Sequence, residues 1–287
     1  MKSFRLAVET VLAVIWCLGA GACFASDGLS VPSGATETLL LRLSPALFSV
    51  SSFSIEVQSR MEVDMLLIPK TTLMGLMTLG GDSETGPGIG NAVIQTLTAH
   101  TASMAYYEPG AANKDISQEQ ITETLFASGL PAPGYPVRLT LDSKCVIASA
   151  EGVPEKFRKF YEVSLLEYPE GRVCPGDSWV ASHVIPVSPD PNSETVDCQS
   201  LATFTLASVD RTAGVADITF ETQLVSLPPA SPGAASINGT AEGKIRVRLS
   251  DGIPQHSESV SRSKLDFGGG NHVGLEQRIR SEFMSRP

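Results

Sequence analysis

Neither C-x-x-C, nor H-E-x-x-H, nor G-x-S-x-G occurs in this chain. The first absence argues against a structural zinc site or a thioredoxin-type redox centre. The second argues against a zincin-type protease, the third against the nucleophile elbow of an α/β-hydrolase. Charge is sparse at 18% of residues, and aromatics stand at 6%. What charge there is leans acidic, 21 basic against 31 acidic residues, a net −10. Phosphate contacts need clustered Lys and Arg, so nucleic acid is not an expected partner, and docking on an anionic membrane surface is disfavoured as well. The four histidines, His100, His183, His256 and His272, include no pair at metal-ligand spacing. No metal, no cofactor and no catalytic residue is expected. His256 and Glu258, two apart on a strand, are an acid–base pair only if both sit on one sheltered face. GPGIGN at 86–91 lacks the Lys-Ser/Thr of a phosphate loop and reads as a hairpin loop.

Long apolar runs are also missing, with one exception. Val11 to Ala25 follows the basic Lys2 and Arg5 and ends in small residues. It falls short of the roughly 20 residues a helix needs to cross about 30 Å of hydrocarbon. Residues 1–25 therefore read as a secretory signal peptide, and no membrane span is expected in the mature chain. Cleavage fits after Ala22 or near Ala25, while Cys23 is a candidate for lipidation after cleavage in front of it. Loss of Lys2, Arg5 and Glu9 leaves 19 basic and 30 acidic residues, a net −11. Of the remaining cysteines, Cys174 and Cys198 bracket one strand and its loop and are the expected disulfide. Cys145 is then left over, and three unbonded thiols are the alternative.

Period-2 alternation dominates what is present. Strands are expected at Thr36–Leu43, Ser49–Gln58, Arg60–Leu67, Thr72–Leu79 and Ala92–Tyr107, with a Gly-rich loop from Gly80 to Asn91 between the last two. Ser117 and Gln120 form a capping box for a helix over Ser117–Ser128, stopped by Gly129. Tyr135–Leu141 and Cys145–Ala148 read as a hairpin, and a second helix is expected over Pro154–Tyr168. Further strands are expected at Ser178–Ile185, Leu201–Val209, Val215–Leu227, Ile237–Ser250, Ile253–Phe267 and Val273–Phe283. Asp251-Gly252 signals a two-residue hairpin turn. That register pairs Arg248 with Gln255, Arg246 with Ser257 and Lys244 with Ser259 on a solvent face. It leaves His256 and Glu258 beside Val247 and Ile245 on the apolar face, and a one-residue bulge would reverse the second strand.

In RVCPGDSWVAS, Pro175 and Gly176 make a turn and Asp177 fixes its corner through a backbone bond. Trp179 then anchors the following strand in the core, with Ser178 facing away. The stretches GYPVRLTLDSKCVIASAEGVPE, PEGRVCPGDSWVAS, LATFTLASVDRTAGVADITFE and GTAEGKIRVRLSDGIPQHSES resemble exported bacterial proteins of a DUF6263-like uncharacterised family, over residues 134 to about 268. The resemblance implies a β-rich fold and export, and brings no activity. Where that pattern has a Gly in its first hairpin, this chain has Lys144-Cys145.

The expected fold is mainly β, a β-rich α+β arrangement. It is a long antiparallel curved sheet or half-barrel with one or two short helices, as in bacterial lipoprotein carriers. Two packed β-sandwich halves are the alternative. After the signal peptide, residues 26–287 form one β-rich domain, divisible into halves at about 34–130 and 134–287. The expected role is that of an exported cell-envelope protein, in the periplasm or at the cell surface. It would bind or carry an apolar or lipid-like ligand. A structural or protein-interaction module with another envelope protein as partner is the alternative, and an enzyme the least favoured reading.

Overall fold

The structure, a computed structural model, describes residues 38–45, 47–66, 68–107, 116–155, 161, 166–187, 196–228 and 235–285. The strands are β1 (Ser49–Met65), β2 (Ile68–Pro87), β3 (Val93–Tyr107), β4 (Val137–Leu141), β5 (Ile147–Glu151) and β6 (Ser178–Val187) in the first part of the chain. β7 (Val196–Asp210), β8 (Val215–Ser226), β9 (Ser236–Arg248), β10 (Pro254–Asp266) and β11 (His272–Ser285) follow. A helix, α1 (Gln118–Ala127), lies between β3 and β4. All eleven strands join one open sheet in the order β5-β4-β3-β2-β1-β11-β10-β9-β8-β7-β6. Each half is a meander of sequence neighbours, and the first and last strands close the seam between them. There Phe53 lies opposite Phe283, Val57 opposite Ile279, and Ser59 opposite Gln277. The expected curved antiparallel sheet is the fold observed.

Alternation along the strands gives the sheet two unlike faces. On β1, Phe53, Val57 and Met61 are buried while Ser54, Gln58 and Arg60 are exposed. On β8, Ala216, Ile218, Phe220, Thr222 and Leu224 are buried, and Glu221, Gln223 and Val225 are exposed. α1 packs on the inner side, burying Ile121 and Leu125, because His100, Thr101 and Ser103 on the outer side of β3 stay exposed. Its capping box forms as expected, Ser117 Oγ accepting from Gln120 N–H and Gln120 Oε1 from Ser117 N–H.

Two extended segments run across one end of the sheet and hold distant strands together. In the first, Leu39 exchanges backbone bonds with Val173, Leu43 N–H donates to Ser143 between β4 and β5, and Ser44 N–H donates to Asp251 between β9 and β10. The Arg42 guanidinium donates to the Pro169 and Glu170 carbonyls. In the second, Tyr168 N–H donates to the Lys144 carbonyl and the Tyr168 hydroxyl donates to the Gly252 carbonyl. Ser143 sits by one edge of the sheet and Val173 by the other, so these bonds draw the two edges toward a common strap. Leu41, Leu43, Leu166, Tyr168 and Val173 are buried under it.

Several expectations are corrected here. Of TETLLLRL, the described residues 38–43 belong to that strap rather than a strand, with Leu39 in an isolated bridge. The two strands expected around Gln58 and Arg60 are one, β1. β2 continues through GGDSETGP, expected as a loop. Its glycines make room for the rings of Phe53 on β1 and of Phe48 just before it. A Cβ on Gly81 would come within 2.9 Å of the Phe53 ring and overlap the Thr98 carbonyl, and one on Gly86 would overlap the Phe48 ring. A bulge at Gly80/Gly81 adjusts the pairing to β3. Of the second expected helix, Glu155 and Tyr161 are helical, 156–160 and 162–165 lie outside the described residues, and Leu166 to Tyr168 are not helical. The signal peptide and Cys23 also lie outside them.

Candidate functional site

The inner face is defined by register. Among the described strands, every Asp, Glu, Lys and Arg falls on the outer face. The inner face carries Val, Ile, Leu, Met, Phe, Ala and small polar groups, with Tyr106, Trp179, His183 and Gln277 among them. Separation this complete over eleven strands leaves one surface that water-soluble partners cannot pair with by charge.

At the seam the inner face becomes polar without becoming charged. Ser257, Ser259, Ser261 and Ser263 of β10 point inward and are buried, as are Gln277 and Ser281 of β11. Register sets them in rows. Ser59, Gln277 and Ser261 lie side by side, with Met61, Leu275 and Ser263 in the next row one way and Val57, Ile279 and Ser259 the other way. The Ser257 and Ser281 hydroxyls bond to each other at 2.6 Å. Gln277 is 1% exposed, and neither its Nε2 nor its Oε1 has a hydrogen-bond partner; the Ser263 Oγ has none either. Beyond Ser59 the same row continues through Gly75 to Tyr106. Gly75 lacks the Cβ that would collide with Ser59 Oγ and come within 3.1 Å of the Tyr106 ring. Burial pushes the Tyr106 phenol up to about 12, so it stays neutral.

The hairpin expectation is overturned at this point. The turn is wider than Asp251-Gly252: Gly252, at φ +71°, donates to the Arg248 carbonyl and Arg248 N–H to the Ile253 carbonyl. Asp251 grips the corner, taking Arg248 Nη2 at 2.7 Å and Ile253 N–H at 3.1 Å. Pro254 pairs with Val247, but the buried set on β10 is Ser257 onward, so parity changes by one between them. That is the bulge outcome. Ser257 and Ser259 face inward, and His256 and Glu258 face outward. His256 lies 3.7 Å from Glu282, also on the outer face, and the sheltered acid–base pair does not form. Its imidazole is held below the ordinary value, first by burial and then by Arg280 and Arg246, against the pull of Glu282 and Asp217.

The PGDSW turn lies at the strap end. Gly176 takes φ +96° and donates to the Leu206 carbonyl, and Leu206 N–H donates to Asp177. The Asp177 carboxylate accepts from Cys174 N–H at 2.7 Å, three residues back rather than two residues on. Ser178 is exposed and meets the Thr205 hydroxyl at 2.8 Å. Trp179 is half-buried on the inner face, stacked on Phe204 at 5.8 Å, with Nε1 donating to the Glu167 carbonyl at 2.6 Å. His183, also inward on β6, reaches the Glu167 carboxylate at 3.3 Å.

The cysteines carry thiols, not a disulfide. Cys174 precedes β6 while Cys198 pairs with Ile185 near its far end. Seven residues of strand separate Ser178 from Ile185, about 23 Å, far beyond the roughly 7 Å Cα limit for a bridge. Bracketing a strand in sequence thus put the two thiols at opposite ends of it. Burial pushes the Cys198 thiol up to about 12, with Asp197 adding to the effect. Cys145 stands alone among described non-glycine residues in taking a positive φ, +68°. Asp142 Oδ1 holds that turn by accepting from Lys144 and Val146 N–H.

Gln277 and the serine stripe went unnoticed in the sequence. The signal was there as S-E-S-V-S-R-S, a small residue at every second position of a strand. No family model matches the chain and no curated protein matches it. Among solved structures, lipovitellin, described for its lipid–protein interactions, is 14% identical with a TM-score of 0.46, over 85% of this chain and 26% of that one. This chain thus spans about a quarter of lipovitellin's length. Pseudomonas aeruginosa OccK5 (OpdH) is 9% identical at TM-score 0.25, covering 83% and 99%. DynF of Micromonospora chersina is 8% identical at 0.22, covering 93% and 96%. At these scores the likenesses add nothing to the geometry above. No helix among the described residues is long and apolar enough to cross a membrane.

Proposed function

We propose that this chain is an exported cell-envelope module that binds or carries an apolar or lipid-like ligand on the inner face of its sheet. The observation that carries the reading is an inner face on which no strand Asp, Glu, Lys or Arg lies, opposite an outer face that holds all of them. An apolar ligand gains by leaving water for such a surface, and a charged one meets no strand Lys, Arg, Asp or Glu there. Export rests on residues 1–25, whose basic, apolar, small-residue order is that of a signal peptide.

Native mass spectrometry of the protein purified without detergent tests the binding role. Co-purified lipid, released by organic solvent, is the expected result. An empty protein that also takes up no apolar fluorescent probe would overturn the reading. N-terminal sequencing of the envelope form should begin between Cys23 and Asp27, and intact Met1 in the cytoplasm would refute export. Labelled fatty acid retained by wild type and lost on Cys23→Ser identifies the lipidated form.

A protein-interaction role has its own support. Val180, Val184, Leu201 and Val225 are exposed together on the outer face beside edge strand β6. An exposed edge with apolar neighbours favours pairing with another chain.

A further inference from the structure

A glutamine side chain with four hydrogen-bonding sites sits at the centre of the sheet with none of them used. Gln277 lies on β11 at the seam, 1% exposed, with Nε2 and Oε1 both without a partner. Ser263 Oγ, one row away on β10, is buried and equally without one. Burying a carboxamide in this way costs stability, and an apolar side chain of the same size would remove the cost. The rows on either side supply Met61, Leu275, Val57 and Ile279, which are buried and apolar. Met77 and Met104 continue the Val57 row across β2 and β3. An unbranched, polarizable side chain adapts to an irregular chain lying on it. The combination is a greasy floor with one neutral donor–acceptor group in its middle.

A carboxamide offers a donor and an acceptor side by side, and a serine hydroxyl can do either. The complement is a group that accepts and donates at neighbouring atoms, such as an ester carbonyl beside a hydroxyl. A carboxylate or phosphate would arrive with no cation to meet, since the inner face has no Lys or Arg among the described residues. Resting on the carrier reading above, we infer that Gln277 and Ser263 form the polar contact that orients a neutral acyl amphiphile, with its ester and hydroxyl at the seam and its acyl chain along the Met and Leu rows. The inward serines then have a second use: small side chains on β10 leave the space that larger ones would fill.

The test uses the full chain, stripped of lipid, and equilibrium dialysis of three labelled probes: monooleoylglycerol, oleate and octadecene. Wild type should bind monooleoylglycerol more tightly than the other two. Gln277→Met should weaken monooleoylglycerol about tenfold, the scale of a lost hydrogen bond, and leave octadecene unchanged. Ser263→Ala should weaken it less, and Gln223→Met on the outer face not at all. A urea midpoint for Gln277→Met at or above that of wild type shows that it folds. If wild type binds all three probes alike and Gln277→Met changes none, or if oleate binds best, the assignment fails while the carrier reading stands. Equal loss of monooleoylglycerol and octadecene in Gln277→Met also overturns it. If wild type binds none of the three, both fall together.

Discussion

β1 and β10 flank the same strand, β11, and present the same kind of face to the same interior, yet only one of them announces it. On β1, Phe53, Ile55, Val57 and Met61 point inward while Ser54, Glu56, Gln58 and Arg60 point outward. On β10 the inward set is Ser257, Ser259, Ser261 and Ser263, and the outward set His256, Glu258, Val260 and Arg262. Both alternate with period 2. In β1 the contrast is apolar against charged, and a one-residue slip would bury charge. In β10 it is small against long, and hydropathy barely changes between the faces. Burial at the centre of a sheet can therefore rest on size and absence of charge as well as on apolarity.

The comparison predicts the largest losses where apolar inner positions are truncated. Ile218 on β8 is 0% exposed. Ile218→Ala should cost about 2–5 kcal/mol in urea unfolding. Val225→Ala, outward on the same strand, should stay within about 0.5 kcal/mol. Similar costs for both would mean that the two faces are not distinct.

The PGDSW corner should rank next. Trp179→Ala removes the stack on Phe204 and the bond to Glu167, and should cost about 3 kcal/mol. Asp177→Ala loses the bond from Cys174 N–H, worth about 1 kcal/mol. Ser178→Ala gives up only an exposed hydroxyl pair and should change little. An unchanged midpoint for Trp179→Ala would refute its anchoring role.

What was legible in the sequence follows the same division. The bounds of β8, β9, β10 and β11 lie within two residues of their expected places, so what β10 hid was its face and not its position, while β7 begins five residues before the expected Leu201; the capping box at Ser117 located α1. β2 was cut short because Gly80, Gly81 and Gly86 read as loop residues, while Gly81 sits under the Phe53 ring, Gly86 under the Phe48 ring and Gly80 against Thr101, contacts that local patterning cannot show. The strap at 38–45 looked like a strand because buried extended chain alternates too. The disulfide failed because spacing in sequence says nothing about which end of a strand a residue reaches. At the site, the bulge before Ser257 reversed the face of β10, and with no hydrophobic contrast nothing in the sequence chose between the two registers.

A smaller effect separates two serines on that strand. Ser257→Ala strips the Ser281 hydroxyl of its buried partner and should cost about 1 kcal/mol. Ser263→Ala deletes a buried hydroxyl that has no partner and should be neutral or stabilising by up to about 1 kcal/mol in the lipid-free protein. If Ser263→Ala is the costlier of the two, the hydroxyl is satisfied in solution and the polar contact assigned to it is not available to a ligand.

The smallest effect lies on the outer side of β10, where the charged set can be tested through His256. Its pKa in the folded protein is lowered, with burial the first cause, Arg280 and Arg246 acting in the same direction and Glu282 and Asp217 opposing them. Unfolded, the imidazole titrates near its ordinary value of about 6.5. Between the folded and unfolded values the unfolded chain binds more protons, so stability must rise with pH across that window. The contribution is complete above about 6.5 and falls as pH drops toward the folded value, which is the reverse of a histidine held mainly by a carboxylate. His256→Gln removes the titration and keeps a polar side chain at the site. The gap in urea midpoint between wild type and His256→Gln should therefore favour wild type more at about pH 8 than at about pH 5.5. A gap that favours wild type more at the lower pH would mean that Glu282 dominates. His256 would then be a surface ion pair, and the partial shelter that the outer face gives it would count for nothing.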